Sequence, residues 1–102
     1  MDLNVSNAAD RERYEARDGD AVAGFVEYLE TTGAVTVLTH TEVDSGYEGR
    51  GVGSTLARAA LDDIRARGRR VLPLCPFVAK WIERHPNYAD LVYQASASTV
   101  SD

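Results

Sequence analysis

A chain of 102 residues with 44% hydrophobic content has material for one modest core and not for two, so a single globular domain is expected. A formal net charge of −5 argues against general nucleic-acid binding, which needs a basic stripe, and no apolar run approaches the roughly 20 residues that span a bilayer. One cysteine excludes an internal disulfide and two distant histidines fit no metal-ligand spacing; with no signal peptide legible, a reduced, cytoplasmic setting is the expectation.

Residues 1–10 read as a frayed lead-in. Residues 13–17 alternate polar and less polar side chains, the pattern of a strand with one wet face. Asp18-Gly19 is a hairpin turn. Residues 21–29 follow as a longer strand, apolar on both faces (Ala23 and Phe25 on one, Val22 and Val26 on the other), and therefore central. Thr31-Thr32-Gly33 turns the chain again, and residues 34–43 form a β-branched run. The first half is thus an antiparallel meander of three strands.

Glycines 49, 51 and 53 then stand at alternate positions ahead of a helical pattern over about 54–67. Leu56, Ala60 and Ile64 form one stripe, Ala57 and Leu61 widen it, and Arg58, Asp62 and Arg65 face outward. Gly68 suits the left-handed residue that ends a helix. A glycine loop feeding a helix N-terminus aims unpaired N–H groups and the positive end of the helix dipole at one spot, which makes an anion site. No Lys-Ser or Lys-Thr follows the glycines, so the Walker A pattern fails. Leu56 stands where a dinucleotide fingerprint needs its third glycine.

Residues 70–74 read as a short strand in which Pro73 cannot donate to a ladder. Pro76 suits the first position of a second helix, which makes Cys75 its N-cap. Phe77, Val78, Trp81 and Ile82 form that helix's apolar face, Pro86 stops it, and residues 87–92 pack back. Residues 94–102 are small and polar, the composition of a disordered tail. Charge divides unevenly: residues 1–48 hold eleven acids against three arginines, and residues 49–102 hold eight bases against five acids. The cationic half carries the anion site, and the acidic half suits a cationic co-substrate such as an amine.

The segment Glu48-Gly49-Arg50-Gly51-Val52-Gly53 resembles the Gln/Arg-x-x-Gly-x-Gly/Ala loop that cradles the pyrophosphate of coenzyme A in the GNAT superfamily of N-acetyltransferases. Glu48 stands where Gln or Arg is usual, and Arg50 supplies a cation inside the loop. Four motifs occur in order: His40-Thr41-Glu42-Val43, the glycine loop, Leu72-Pro73-Leu74-Cys75-Pro76-Phe77-Val78 and Glu83-Arg84-His85-Pro86. Together they look like the minimal GNAT-like acetyltransferases, over roughly residues 10–93. The resemblance implies an α/β architecture, a mixed sheet of the three-strand meander plus a parallel strand with helices packed on it, as a single domain over residues 1–93. It implies acetyl-CoA as cofactor, with Thr41 and Val43 beside the pantetheine arm and Gly49, Arg50, Gly51, Val52, Gly53 and Ser54 at the pyrophosphate.

Acyl transfer to an amine needs a base and a group that receives the departing thiolate's charge. The family's proposed catalytic pair falls on His40 and Cys75. Histidine's ordinary pKa suits a base near neutrality, and a thiol at a helix N-terminus is drawn toward thiolate, able to accept the acetyl group. Proline on either side of Cys75 is expected to leave that thiol at an open gap beside His40. Glu42, two residues from His40, shares its face and is the substitute base. Tyr47, Tyr88 and Tyr93 are proton-donor candidates, though no tyrosine lies between Pro76 and Arg84, where larger relatives carry theirs. His85 and Trp81 read as structural. Three readings stay open: an acetyltransferase acting on a small or protein amine, directly or through a Cys75 thiolate; a CoA-binding or protein-interaction module with little catalysis; and an interaction domain without cofactor. No nucleic-acid or membrane partner is expected, and the chain is expected to be a monomer or weak homodimer.

Overall fold

The computed structural model describes residues 2–94; the expected tail lies almost wholly outside them. The lead-in is a strand. Leu3–Ala8 (β1) pairs antiparallel with Arg13–Asp18 (β2), with Leu3 opposite Asp18 and Ala8 opposite Arg13. Leu3 and Val5 alternate with polar residues and pack on the rim of the core. The Tyr28 hydroxyl donates to Asn7 at 2.6 Å and ties β1 two strands inward. The polar composition of this segment concealed a strand with one apolar edge.

Ala21–Glu30 (β3) and Val35–Val43 (β4) continue the meander, and Arg70–Pro73 (β5) adds a parallel strand beside β4, giving the order β1-β2-β3-β4-β5. The meander therefore has four strands. Val52–Ala66 (α1) and Pro76–Arg84 (α2) are the helices, and 3-10 turns occupy Ser45–Tyr47 and Pro86–Leu91. The last turn leads to a bridge from Val92 to Val71, the expected packing back.

Helix α1 buries Val52, Leu56, Ala57, Ala60, Leu61 and Ile64 against the sheet. Gly24 lets it come close: a Cβ there would lie 2.7 Å from the Glu42 carbonyl oxygen and within 3.2 Å of Val52 and Leu56. Helix α2 lies alongside α1, with Trp81 Nε1 donating to Ser54 Oγ at 2.8 Å.

Two bulges decide which side chains meet. Ala16 faces Gly24 and Arg17 faces Val22, so Ala23 is an extra residue in β3. Glu27 faces His40 and Tyr28 faces Leu38, so Thr39 is an extra residue in β4. Each bulge reverses the alternation of its strand. Leu38 and Thr41 consequently share the α1 face, whereas His40 and Glu42 project from the opposite one, where Phe25 also lies.

Candidate active site

The β4–β5 ladder runs from Val35 beside Arg70 to Leu38 beside Pro73 and stops. Pro73 has no N–H, and the next two amides, Leu74 and Cys75, both donate to the Leu38 carbonyl at 3.0 Å. Chain direction then turns into α2. Beyond Leu38, β4 is paired on its β3 side alone, so the outer edge of residues 39–43 faces a gap. The expectation that Pro73 limits pairing is met at this point.

Beside the gap lies a cleft of about 470 Å³. The glycine loop with Val43 forms one wall, and Phe77, Trp81, Arg84 and His85 of α2 and its cap form the other. Gly51 caps α1 with φ 79°, and Gly49 has φ 76°. Both are in the left-handed region that side chains oppose, and nothing lies within 4 Å of where their Cβ atoms would be. The helix starts at Val52, two residues before the sequence suggested, because this glycine turn is itself its cap. Val52, Gly53 and Ser54 occupy the first turn, where N–H groups lack intrahelical acceptors. Gly53 serves a different purpose: a Cβ there would come 2.7 Å from Phe77 Cζ, so its absence lets α2 close against the loop. An open cradle of N–H donors with apolar walls from Val43, Val52 and Phe77 fits a phosphate-bearing cofactor with an apolar arm.

Six of the eight residues expected at the cofactor line this cleft: Val43, Gly49, Gly51, Val52, Gly53 and Ser54. Arg50 and Thr41 do not. The Arg50 guanidinium lies 5.8 Å from the Tyr47 ring centre, and Thr41 Oγ1 lies 3.2 Å from Cys75 Sγ. The α2 wall was missed because Trp81 is only 5% exposed and reads as core, although one edge of it reaches the cleft. The spacing Phe77, Trp81, Arg84 was the available signal.

Cys75 is the N-cap residue of α2, as expected, but its side chain makes no capping bond. The thiol is 4% exposed within the apolar cluster and meets the Thr41 hydroxyl. The expectation of an open thiol is thereby corrected: Cys75 is buried in the apolar cluster, with the Thr41 hydroxyl as its polar neighbour. His40 does not face it. His40 Nε2 lies 3.0 Å from Glu42 Oε2, and the ring meets the edge of Phe25 at 6.4 Å between centres. Glu42 thus shares the face of His40 as expected, and Thr41, not His40, is the β4 side chain that reaches Cys75. Two of the tyrosines are committed elsewhere. The Tyr47 hydroxyl donates to Asp18 at 2.9 Å and that of Tyr88 to Asp62 at 2.7 Å, and each carboxylate holds its phenol above the usual pKa.

Residues 13–91 match a family model described as GCN5-related N-acetyl-transferase. The chain belongs to the GCN5-related N-acetyltransferases. Among curated relatives, protein NATD1 of Bos taurus is 39% identical over 49 residues, 48% of this chain and 43% of its own length. The match thus spans less than half of that relative. Protein NATD1 of Danio rerio is 29% identical over 93 residues, covering 88% of this chain and 84% of its own. A GCN5-like putative N-acetyltransferase from Staphylococcus aureus has the same fold, with TM-score 0.69 at 18% identity, covering 98% of this chain and 97% of that one. The ribosomal-protein-alanine N-acetyltransferase of Brucella melitensis biovar Abortus 2308 aligns with TM-score 0.53 at 19% identity, over 94% of this chain and 72% of its own. The mixed five-stranded sheet with its packed helices is thus the fold that these neighbours share. Among the described residues no cluster of three or more His, Cys, Asp or Glu side chains is placed to hold a metal ion, and no helix is long and apolar enough to cross a membrane.

Proposed function

We propose that the protein is an acetyl-CoA-dependent N-acetyltransferase acting on an amine, as a single domain over residues 1–93 that works as a monomer or weak homodimer in the cytoplasm. The observation that carries this reading is the cleft in which the N-terminal turn of α1 faces Arg84 and His85, opening onto the unpaired edge of β4. The amides of the α1 first turn and Arg84 hold the pyrophosphate, and the free edge of residues 39–43 offers backbone partners to the pantetheine amides. Bound there, the cofactor supplies an activated acyl thioester.

His40 and Glu42 are the base pair of the reaction. Glu42 accepts from His40 Nε2–H, which leaves the lone pair on Nδ1 to take the proton of an acceptor amine. Their position on the far face of β4 suits an acceptor that approaches from the side opposite α1. Cys75 sits with Thr41 at the base of the gap, and its 4% exposure favours direct transfer over a covalent route. Cys75→Ala decides between them. Retained cofactor binding with lost turnover places the acyl group on Cys75, whereas retained turnover assigns the thiol a packing role.

The reading as a whole is tested by calorimetric titration with acetyl-CoA and turnover against a panel of amines. Binding of acetyl-CoA and acetylation of at least one amine are expected. Absence of binding sinks the reading; binding without turnover on any amine, including peptide N-termini, leaves a CoA-binding module.

A further inference from the structure

His85 ends α2, and a histidine at a helix C-terminus has an ordinary structural use. Its ring, however, is held in a way that structure alone does not require. Nδ1 lies 2.7 Å from the carbonyl oxygen of Trp81. A carbonyl only accepts, so Nδ1 carries a hydrogen. The imidazole also lies flat on the Trp81 indole, with centres 3.8 Å apart and planes 15° from parallel. Trp81 is in turn fixed by its hydrogen bond to Ser54 in the first turn of α1. The ring is therefore locked to the same frame as the glycine loop, and it lines the same cleft.

With Nδ1 committed as a donor, Nε2 is a bare lone pair in the neutral ring. It donates a hydrogen bond only when the ring is an imidazolium. We propose that His85 is a proton-linked ligand of the phosphate-bearing cofactor, so that binding the anion takes up a proton at Nε2. This rests on the cofactor reading above and adds a residue to it.

Groups of both signs surround the ring. The C-terminal end of α2 and the indole face favour a cation. Glu48 across the cleft does the same. Arg84 in the cleft, Arg58 with its guanidinium 5.2 Å from the Trp81 ring centre, and the N-terminal end of α1 oppose it. From the remaining neighbours, Tyr47 and Tyr88 present phenols that are occupied by Asp18 and Asp62. An anion in the cleft offsets the opposing charges. The chain's other histidine, His40, projects from the opposite face of the sheet and makes no part of the cleft.

The test uses dephospho-CoA, which keeps the pyrophosphate but lacks the 3′-phosphate that itself titrates near neutrality. Calorimetry in buffers of different ionisation enthalpy, between about pH 5.5 and 8.5, measures protons taken up. The wild-type chain is expected to take up a measurable fraction of a proton and to bind several-fold more weakly at the alkaline end. His85→Gln, whose amide donates without titrating, is expected to bind with that uptake abolished. Independently, ring nitrogen NMR of the wild-type chain is expected to show Nδ1–H with a bare Nε2 when free, and N–H at both positions when inorganic pyrophosphate is added. Binding of dephospho-CoA with no proton uptake, or uptake unchanged in His85→Gln, or an Nε2–H tautomer in the free ring, overturns this proposal and leaves the cofactor reading standing. A wild-type chain that binds neither acetyl-CoA nor dephospho-CoA overturns both.

Discussion

The three glycines of the loop are not interchangeable. Gly51 holds a left-handed φ of 79° at the cap of α1, with open space where a side chain would go. Gly51→Val strains the turn itself, and calorimetry is expected to show CoA binding lost. At Gly53 the obstacle is Phe77 and not the backbone, so Gly53→Ala pushes a side chain aside at a cost of about 1–3 kcal/mol. A weakened but measurable affinity is expected there by calorimetry, in contrast to the loss in Gly51→Val. Unchanged affinity in Gly51→Val would remove the loop from the cofactor site. Glu15 shows a different residue-scale effect. It is 2% exposed on the sheet face away from α1, under Arg11, Arg13 and Arg17, with Arg13 Nε 2.7 Å from its carboxylate. Burial raises its pKa, but the hydrogen bonds from Arg13 and Arg17 outweigh that and hold the carboxyl below the usual range. Glu15→Gln leaves three arginines facing one another without their anion, and urea unfolding should report a loss of about 1–3 kcal/mol.

At the scale of elements, the seat of α1 on β3 governs the site. Leu56 is fully buried beneath the first turn, and truncation to alanine should cost about 2–5 kcal/mol. Gly24→Ala is the more informative change. Its Cβ would meet the Glu42 carbonyl at 2.7 Å and also press on Val52 and Leu56, so both the β4 edge and the start of α1 must shift. Weaker CoA binding is expected in a protein that still folds, with the lost affinity read by calorimetry and the retained fold by circular dichroism. An unaffected affinity would mean that the cleft tolerates displacement of α1, contrary to its being a preformed phosphate cradle. The last turn of α1 is anchored separately: Arg67 bonds Asp63, Glu30 and the Tyr14 hydroxyl, and Arg69 bonds Glu30 and Thr36. Those contacts lie at the end of the helix remote from the loop, and so they bear on stability more than on binding.

For the whole molecule, the carboxylates set the response to acid. Glu15, Glu30 and Asp90 all have folded pKa values below their ordinary ones. In Glu30 burial pulls upward, but hydrogen bonds from Thr36 and Arg67 prevail; in Asp90 the bond from Arg65 is the main cause. A depressed folded pKa stabilises the native state above the unfolded value of about 4. That contribution is lost as pH falls through the folded values. The melting temperature should therefore be level down to about pH 5 and fall below about pH 4, with a shallower fall in Glu15→Gln. A melting temperature that rises on acidification would contradict the assigned shifts.

The sequence by itself determined the strands from residue 13 onward, the two helices, the left-handed Gly68 that ends α1 and the position of Cys75 at the start of α2. Each of these rests on local chemistry: β-branched runs, a helical stripe from Leu56 to Ile64, a left-handed glycine, and prolines that forbid alternatives. It determined most of the loop side of the cleft for the same reason, since a helix N-terminus and its cap are adjacent in the chain. Only the tertiary structure decided what faces what. Leu3–Ala8 became a strand because β2, the next strand along the chain, offers it an edge, a pairing that its polar residues do not announce. The bulge at Thr39 gave the gap to Thr41 and turned His40 to the other face, since one extra residue reverses a strand's alternation without changing its composition. The α2 wall of the cleft, with Arg84 and the clamped His85, exists because Gly53 admits Phe77 and Ser54 receives Trp81, contacts between residues more than twenty positions apart.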